Sequence, residues 1–327
     1  MRKKIAIIMG GFSSESEVSL KSGEVVYKNL CKKKYDVFRI HIFKDKWVYI
    51  SNDGSQLKVN TNDFSIILNG EIIHFDCIFN AIHGAPGEDG FMQAYFKLIG
   101  IPQTSCGMYQ AALTFNKKDC LNVLKAYGIP IAKSYCLNSE EKIEVNKIIS
   151  QVNLPCIVKP NCGGSSFGVS KVVNANELEK SIVKAFKYDN DVIIEEFLDG
   201  IEVSVGVLDY KGKIKVLPIT EIISENSFFD YEAKYLGKSI EITPAKVSKL
   251  QERNVIKIAE KIYKILKMSG FSRSEFIFKN NTPYFLEMNT VPGLTKESIF
   301  PKQALAAGIC LSDLLSNAIE MAMIKNV

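Results

Sequence analysis

The sequence predicts an α/β protein of more than one domain, and three observations carry that prediction. Its 327 residues exceed the usual span of one compact core, which favours two or three domains. Buried, strand-like apolar runs alternate with amphipathic, helix-like stretches from the first residues onward. Glycine-rich loops follow strand-like runs at Gly10-Gly11 and His83–Gly90, where α/β folds usually place ligands, and a third, Asn161–Gly168, joins two strands. Hydrophobic residues make up 46% and charged residues 24%, so the chain has the composition of a globular protein and not of a disordered one.

Element by element, Ile5–Met9 reads as a buried strand, Gly10-Gly11 as a turn and Val18–Leu30 as a helix. Cys77–Ala81 is a strand leading into the loop His83–Gly90, and Ile101-Pro102 completes another short strand, with a border near Cys106. Ala111–Tyr127 is helical until Gly128-Ile129-Pro130 stops it. Cys156–Lys159 and Val169–Val173 are strands joined by the glycine loop, and a helix follows near Glu177–Phe186. Val192–Phe197 and Glu202–Leu208 read as a strand pair around Asp199-Gly200. Ser224–Ser239 is polar, aromatic and aperiodic, the signature of a long functional loop. Val255, Ile258, Ala259, Ile262, Ile265 and Leu266 mark one face of a helix. Ser274–Phe278 and Tyr284–Met288 form a hairpin around Asn280-Asn281-Thr282.

Charge and cysteine usage exclude several classes. The net charge of +5 is scattered apart from Lys32, Lys33 and Lys34, so no basic stripe for nucleic acid is present. Eight cysteines without CxxC spacing, in a chain too large to need staples, read as reduced and structural. The start, MRKKIAIIMGG, imitates a signal peptide, but the run Ile5–Met9 is shorter than the roughly 7 to 15 apolar residues an h-region needs. No later segment approaches the roughly 20 residues of a membrane span, so a cytoplasmic protein is expected, with no membrane partner.

The chemistry concentrates in the C-terminal hairpin. Pairing centred on Asn281 sets Glu275 opposite Glu287 and Arg273 opposite Asn289, all on one face because side chains alternate with period two. Like charges directly opposite destabilise a sheet, so the acidic pair invites a cation. Two carboxylates and an amide oxygen suit Mg²⁺; a surface hairpin with solvated glutamates is the competing reading. The following Asn289–Thr295 leaves the strand as a turn whose free N–H groups could hold a developing oxyanion.

The segment GGSSFG lacks GK(S/T) and is no Walker A loop. It fits an ordinary hairpin loop, or a flap that covers phosphates with backbone N–H groups. Lys159, on a strand of buried residue types, needs an anionic partner or an exit to solvent. Backbone groups at Glu196–Leu198 could read an adenine edge and Glu202 could accept from ribose hydroxyls, although Glu196 also suits an exposed edge strand. Ser14 and Glu17 have the spacing of a capping box. Glu15 either complements a helix N-terminus or meets the ammonium of a small substrate. His83 follows a strand, and lone histidines are more often structural.

Taken in order, GGFSSESEVSL, AIHGAPGEDG, IVKPNCGGSSFGVSKV, VIIEEFLDGIE, FFDYEAKY, SRSEF and LEMNTVPGLTKES resemble the D-alanine:D-alanine ligases of the ATP-grasp superfamily over nearly the whole chain. The resemblance implies a three-domain α/β ATP-grasp fold: a Rossmann-like N-terminal substrate domain (1–105), a central lid domain (106–195) and a C-terminal domain (196–327) with the metal site and a closing loop (224–239). ATP would lie between the second and third domains, and D-alanine, as both substrates, between the first and third.

Residue by residue, the resemblance puts Lys117 and Lys159 on the ATP phosphates, Glu195, Glu196, Leu198 and Glu202 around adenosine, and Lys234 on the transferred phosphate. Glu15 would hold the first D-alanine's ammonium, with His83 near its carboxylate, and Ser165 and Tyr235 would link with Glu15 to close the loop. Ser298 and Ile299 would meet the second D-alanine's carboxylate, and Arg273 with the Gly293 N–H would stabilise the tetrahedral intermediate. Glu275, Glu287 and Asn289 would bind two Mg²⁺ ions, with Mn²⁺ as a substitute. A homodimer serving peptidoglycan precursor synthesis completes the expectation.

Two positions depart from the family pattern. Glu275 stands where aspartate is usual, and Cys162-Gly163 where many members carry bulkier polar residues. Tyr235 favours a dipeptide product over D-alanyl-D-lactate, since the related depsipeptide ligases resemble a phenylalanine or histidine type there; Tyr235→Phe should shift a product-competition assay towards D-lactate. The rivals are a ligase making D-alanyl-D-lactate or another D-alanyl product, and a nucleotide-binding regulator without turnover, which could dispense with Arg273 and the metal set.

Overall fold

The computed structural model describes residues 2–224 and 239–324. The first sheet is built around β1 (Lys3–Gly10), whose Ile5 to Met9 are fully buried, as a run apolar on both faces requires. β2 (Tyr35–Ile42) and β7 (Cys77–Asn80) pair with it in parallel, and β3 (Trp47–Ile50) and β4 (Gln56–Lys58) extend the sheet in the order β4-β3-β2-β1-β7. α1 (Ser16–Asn29) makes the crossover from β1 to β2, while β5 (Ile66–Leu68) and β6 (Glu71–Ile73) form a separate ribbon near α2 (Phe91–Leu98). The loops after β1 and β7, two neighbouring parallel strands, therefore open side by side at one end of the sheet. The strand expected at Ile101-Pro102 is reduced to one bridge, Ile78 to Gln103, because Pro102 has no N–H to extend a ladder.

The single helix expected over Ala111–Tyr127 is two, α3 (Met108–Phe115) and α4 (Lys117–Ala126). Asn116 breaks it: its backbone is extended and its side chain accepts from Asp119 N, a cap that competes with helix continuation. Lys117 thereby becomes the first residue of a helix. The second sheet is antiparallel, order β10-β9-β11-β8, from β8 (Ser134–Asn138), β9 (Cys156–Pro160), β10 (Ser170–Val172) and β11 (Asp191–Glu196), with α5 (Val145–Val152) and α6 (Ala175–Ala185) covering one face.

The strand pair expected around Asp199-Gly200 does not form. Both edges of β11 are taken by β8 and β9, whereas β12 (Ile201–Tyr210) is central to the third sheet. That sheet runs β15-β14-β12-β16-β17, from β14 (Thr220–Ser224), β15 (Ser239–Ile242), β16 (Phe271–Lys279) and β17 (Thr282–Asn289), with β13 (Lys213–Val216) also paired to β12. Phe197–Gly200 thus passes from one sheet to the next and walls the space between them.

α7 (Lys249–Ile265) buries Val255, Ala259 and Ile262 against the third sheet, on the face its periodicity predicts. α8 (Ile299–Ala306) and α9 (Leu311–Ile324) follow, and Leu314, Leu315 and Ile319 pack in one cluster with Ile5, Ile7 and Phe79. The end of the chain therefore covers the first sheet. No single helix among the described residues is long and apolar enough to cross a membrane, and all eight cysteines are free.

Candidate active site

In the hairpin β16–β17, Arg273 lies opposite Asn289 and Glu275 opposite Glu287, the register expected at this end. The turn end differs: Lys279 pairs with Thr282 and Phe276 with Phe285, so the turn centres between Asn280 and Asn281. A bulge between the two halves absorbs Leu286 and restores the register beyond it. The bulge also brings both Leu286 and Glu287 to the wall of one cavity.

Glu275 is buried, 7% exposed, and its Oε1 accepts from Arg273 Nε at 2.8 Å and from Ser204 Oγ at 3.3 Å. Burial opposes the Arg273 charge, but the Glu275 carboxylate, by charge and hydrogen bond, and then Glu287 and Glu241, hold its pKa above the ordinary value. Glu275 Oε2 is buried with no protein partner among the described residues. Such an orphaned oxygen, beside a second carboxylate and the Asn289 amide, fits a hard cation. Asn289 Oδ1 accepts from Val291 N at 3.0 Å, which orients that oxygen. No group of three or more His, Cys, Asp and Glu is assembled among the described residues, so any ion here rests on this mixed oxygen set.

Lys117 is aimed by its place at the start of α4. Its N–H donates to Asn161 O, Lys118 N donates to Asn161 Oδ1, and its ammonium reaches Gly163 O at 2.6 Å and Glu287 Oε2 at 3.5 Å. Lys159 finds the anionic partner its burial demands: its ammonium is 2.5 Å from Glu195 Oε2. Lys159 faces Ile193 across β9–β11, which makes Glu195 its diagonal neighbour on the same face. The Glu196 carboxylate accepts from Lys133 N, and its own N–H and that of Phe197 bond to Lys133 O and Pro155 O. Lys159, Glu195, Leu198, Glu202, Glu275 and Glu287 share the wall of a cavity of about 440 Å³.

The capping box suggested by Ser14 and Glu17 does not form; α1 begins after Glu15 with no side-chain cap. Glu15 instead turns to the glycine loop, where its Oε1 accepts from Ser165 Oγ at 2.5 Å. The approach is so close that a Cβ on Gly164 would stand 2.7 Å from Glu15 Oε2. Glu15, His83, Arg273, Asn289, Gly293 and Ser298 line a second cavity of about 390 Å³, as does Ile299, the first residue of α8. A Cβ on Gly293 would meet Ser298 Oγ at 2.7 Å, and Ser298 Oγ is 2.8 Å from Thr295 Oγ1. Both cavities are walled by Glu15, Lys117, Ser165 and Glu287.

His83 is held more tightly than a substrate contact would be. Val291 O, 2.7 Å from Nδ1, can only accept, so Nδ1 carries the proton and Nε2 accepts from Ser22 Oγ at 2.9 Å. Burial lowers its pKa and keeps the ring neutral near pH 7. A bond from His83 to a first-substrate carboxylate would have to displace one of these. Beside it, Glu88 is buried with three backbone N–H bonds, and its carboxyl is pushed up to about 7 by burial and by Glu15. Sequence reasoning gave no role to Glu88, Ser22 or Asn161. Only the glycines flanking Glu88 hint at a loop folded back on itself. Lys234 and Tyr235 lie outside the described residues.

Comparison with known proteins identifies the family. Residues 4–106 match the family model described as "D-ala D-ala ligase N-terminus", and residues 123–320 match "D-ala D-ala ligase C-terminus". The chain is 62% identical to a D-alanine–D-alanine ligase of Flavobacterium johnsoniae, over 98% of this chain and 99% of the relative. A D-alanine–D-alanine ligase of Christiangramia forsetii is 54% identical, over 99% of each. Among solved structures, the VanG D-Ala:D-Ser ligase of Enterococcus faecalis superposes with a TM-score of 0.88 at 32% identity, over 98% of this chain and 100% of that one. A Bacillus anthracis D-alanine–D-alanine ligase complexed with ATP gives 0.79 at 30% identity, over 99% and 98%. With its two-cavity site on an α/β ATP-grasp fold, the chain belongs to the D-alanine–D-alanine ligase family.

Proposed function

We propose that the protein joins two D-alanine molecules into D-alanyl-D-alanine for peptidoglycan precursors, converting ATP to ADP and phosphate through a D-alanyl phosphate. The observation that carries this reading is the pair of adjoining cavities, one walled by Lys159, Glu195 and Leu198, the other by Glu15, Gly293 and Ser298, with Lys117 and Glu287 common to both. Such a site can hold a nucleotide and two small amino acids with the γ-phosphate end at their junction. In this reading domains 106–195 and 196–327 enclose ATP, and domains 1–105 and 196–327 enclose the amino acids.

Lys117 and Lys159 bind the phosphates, and the Leu198 backbone reads adenine, since the N–H groups of Glu196 and Phe197 are already committed. Glu202 accepts from the ribose hydroxyls. Glu275, Glu287 and Asn289 are the residues that would hold two Mg²⁺ ions, or Mn²⁺ in their place, whose charge offsets that of the phosphate oxygens. Glu15 holds the ammonium of the first D-alanine. The carboxylate oxygen of the first D-alanine attacks the γ-phosphorus, ADP leaves, and the acyl phosphate forms.

Ser298 and Ile299 orient the second D-alanine by its carboxylate. Its amine, as the free base, attacks the acyl carbon; Arg273 and the Gly293 N–H stabilise the oxyanion, and phosphate departs with the original carboxylate oxygen. Ser165, bonded to Glu15, keeps the glycine loop over the centre so that water does not hydrolyse the acyl phosphate. Carboxyl-¹⁸O D-alanine tests this directly. One labelled oxygen should appear in the released phosphate; dipeptide formed with unlabelled phosphate would exclude the acyl phosphate route.

A further inference from the structure

Glu88 takes no part in the chemistry above, yet both oxygens of its buried carboxylate are bonded to backbone N–H groups beside it. Its Oε2 accepts from Gly84 N at 2.8 Å, and its Oε1 accepts from Thr290 N at 3.1 Å and Val291 N at 3.0 Å. One buried side chain, 8% exposed, thus ties the loop after β7 to the turn after β17, two loops that come from different sheets. Keeping a carboxylate in so enclosed a place costs free energy, and three N–H donors offset that cost only in one geometry.

The turn it grips carries the chemistry on both sides. Asn289, a proposed metal ligand, immediately precedes Thr290, and Gly293, whose N–H is proposed to face the oxyanion, lies two residues beyond Val291. The rest of the turn is pinned from the same direction: His83 Nδ1–H donates to Val291 O at 2.7 Å, and Leu294 N donates to Ser22 Oγ at 3.4 Å. These contacts all come from the first sheet's loop and from α1. Glu88 also lines the amino-acid cavity.

Resting on the ligase reading, we propose that Glu88 is a positioning residue: its carboxylate fixes the Thr290–Val291 backbone to the His83 loop and so aims the Gly293 N–H at the acyl centre. Gln in its place has one carbonyl oxygen, which can serve Gly84 or the Thr290–Val291 pair but not both, and its NH₂ then faces an N–H donor. The link that Glu88 makes between the two loops is thereby cut, and the turn is left to His83 and Ser22.

The test uses the full chain. Wild type, Glu88→Gln and Glu88→Asp, the last keeping the charge one methylene short, are compared for kcat, KM for ATP and for each D-alanine, melting temperature, and positional isotope exchange in ATP that reports acyl phosphate formation. Glu88→Gln should lower kcat for dipeptide synthesis about 10- to 100-fold, the scale of a misplacement near 1 Å, with KM for ATP within about twofold and isotope exchange less affected. Glu88→Asp gives the same split if Glu88→Gln does not fold. A folded variant with wild-type kcat overturns the proposal. So does a loss that falls equally on isotope exchange, KM for ATP and melting temperature, since a mere strut between sheets would do that. Failure of the wild type to make the dipeptide would instead refute the ligase reading itself.

Discussion

Lys159→Met tests the nucleotide side of the site and separates stability from binding. The substitution leaves Glu195, whose side chain is 6% exposed, without the ammonium now 2.5 Å from its Oε2. Removing one partner of a buried ion pair costs about 3–5 kcal/mol, because the remaining charge stays desolvated. A charge-assisted bond to phosphate is worth about 1.5–3 kcal/mol, so KM for ATP should also rise about 10- to 100-fold. The double variant Lys159→Met with Glu195→Gln removes both charges. It should recover stability to within about 1 kcal/mol of wild type while KM for ATP stays raised. Urea denaturation without nucleotide reads the first quantity and initial rates against ATP read the second. A double variant as unstable as the single one would refute the pairing argument, and a wild-type KM for ATP in Lys159→Met would refute the phosphate contact.

Three other outcomes follow from particular contacts. Arg273→Lys keeps the charge but loses the planar donor set that meets Glu275 at 2.8 Å; kcat should fall about 10²- to 10³-fold with KM for ATP little changed, as steady-state kinetics would report. Gly164→Ala puts a Cβ 2.7 Å from Glu15 Oε2, so it should raise KM for the first D-alanine about tenfold or more; an unchanged value would mean that Glu15 does not bind that ammonium. Burial lowers the pKa of His41, so the folded state resists a proton that the unfolded chain accepts near 6.5. The contribution is complete above that value and is lost as the pH falls towards the depressed folded value. His41→Gln should therefore flatten the decline of urea midpoints between about pH 7.5 and pH 5.5, and a decline of wild-type steepness would count against a half-buried, neutral His41.

Legibility in the sequence followed the range of the interactions. Ile5–Met9 and the α7 stripe were readable because burial imposes a local period, two-sided in one case and 3.6-residue in the other. The facing of Glu275 and Glu287 was readable too, but by compensation: a turn one residue tighter than expected and a bulge at Leu286 cancel. Local pattern could not show that β11 and β12 part company, since Asp199-Gly200 serves equally as a hairpin turn or as a crossing between sheets. Nor could it show the break at Asn116, where a side-chain cap outweighs a helical pattern on either side. The bonds from His83 Nδ1 to Val291 O and from the Thr290 and Val291 N–H groups to Glu88 join residues about two hundred positions apart, where sequence spacing carries no signal.

The most direct test of the account is stoichiometric. With ATP, Mg²⁺ and D-alanine, the protein should release one phosphate for each D-alanyl-D-alanine identified by mass spectrometry, and L-alanine should support neither. Folded, ATP-binding protein that releases no phosphate in response to D-alanine would contradict the central claim.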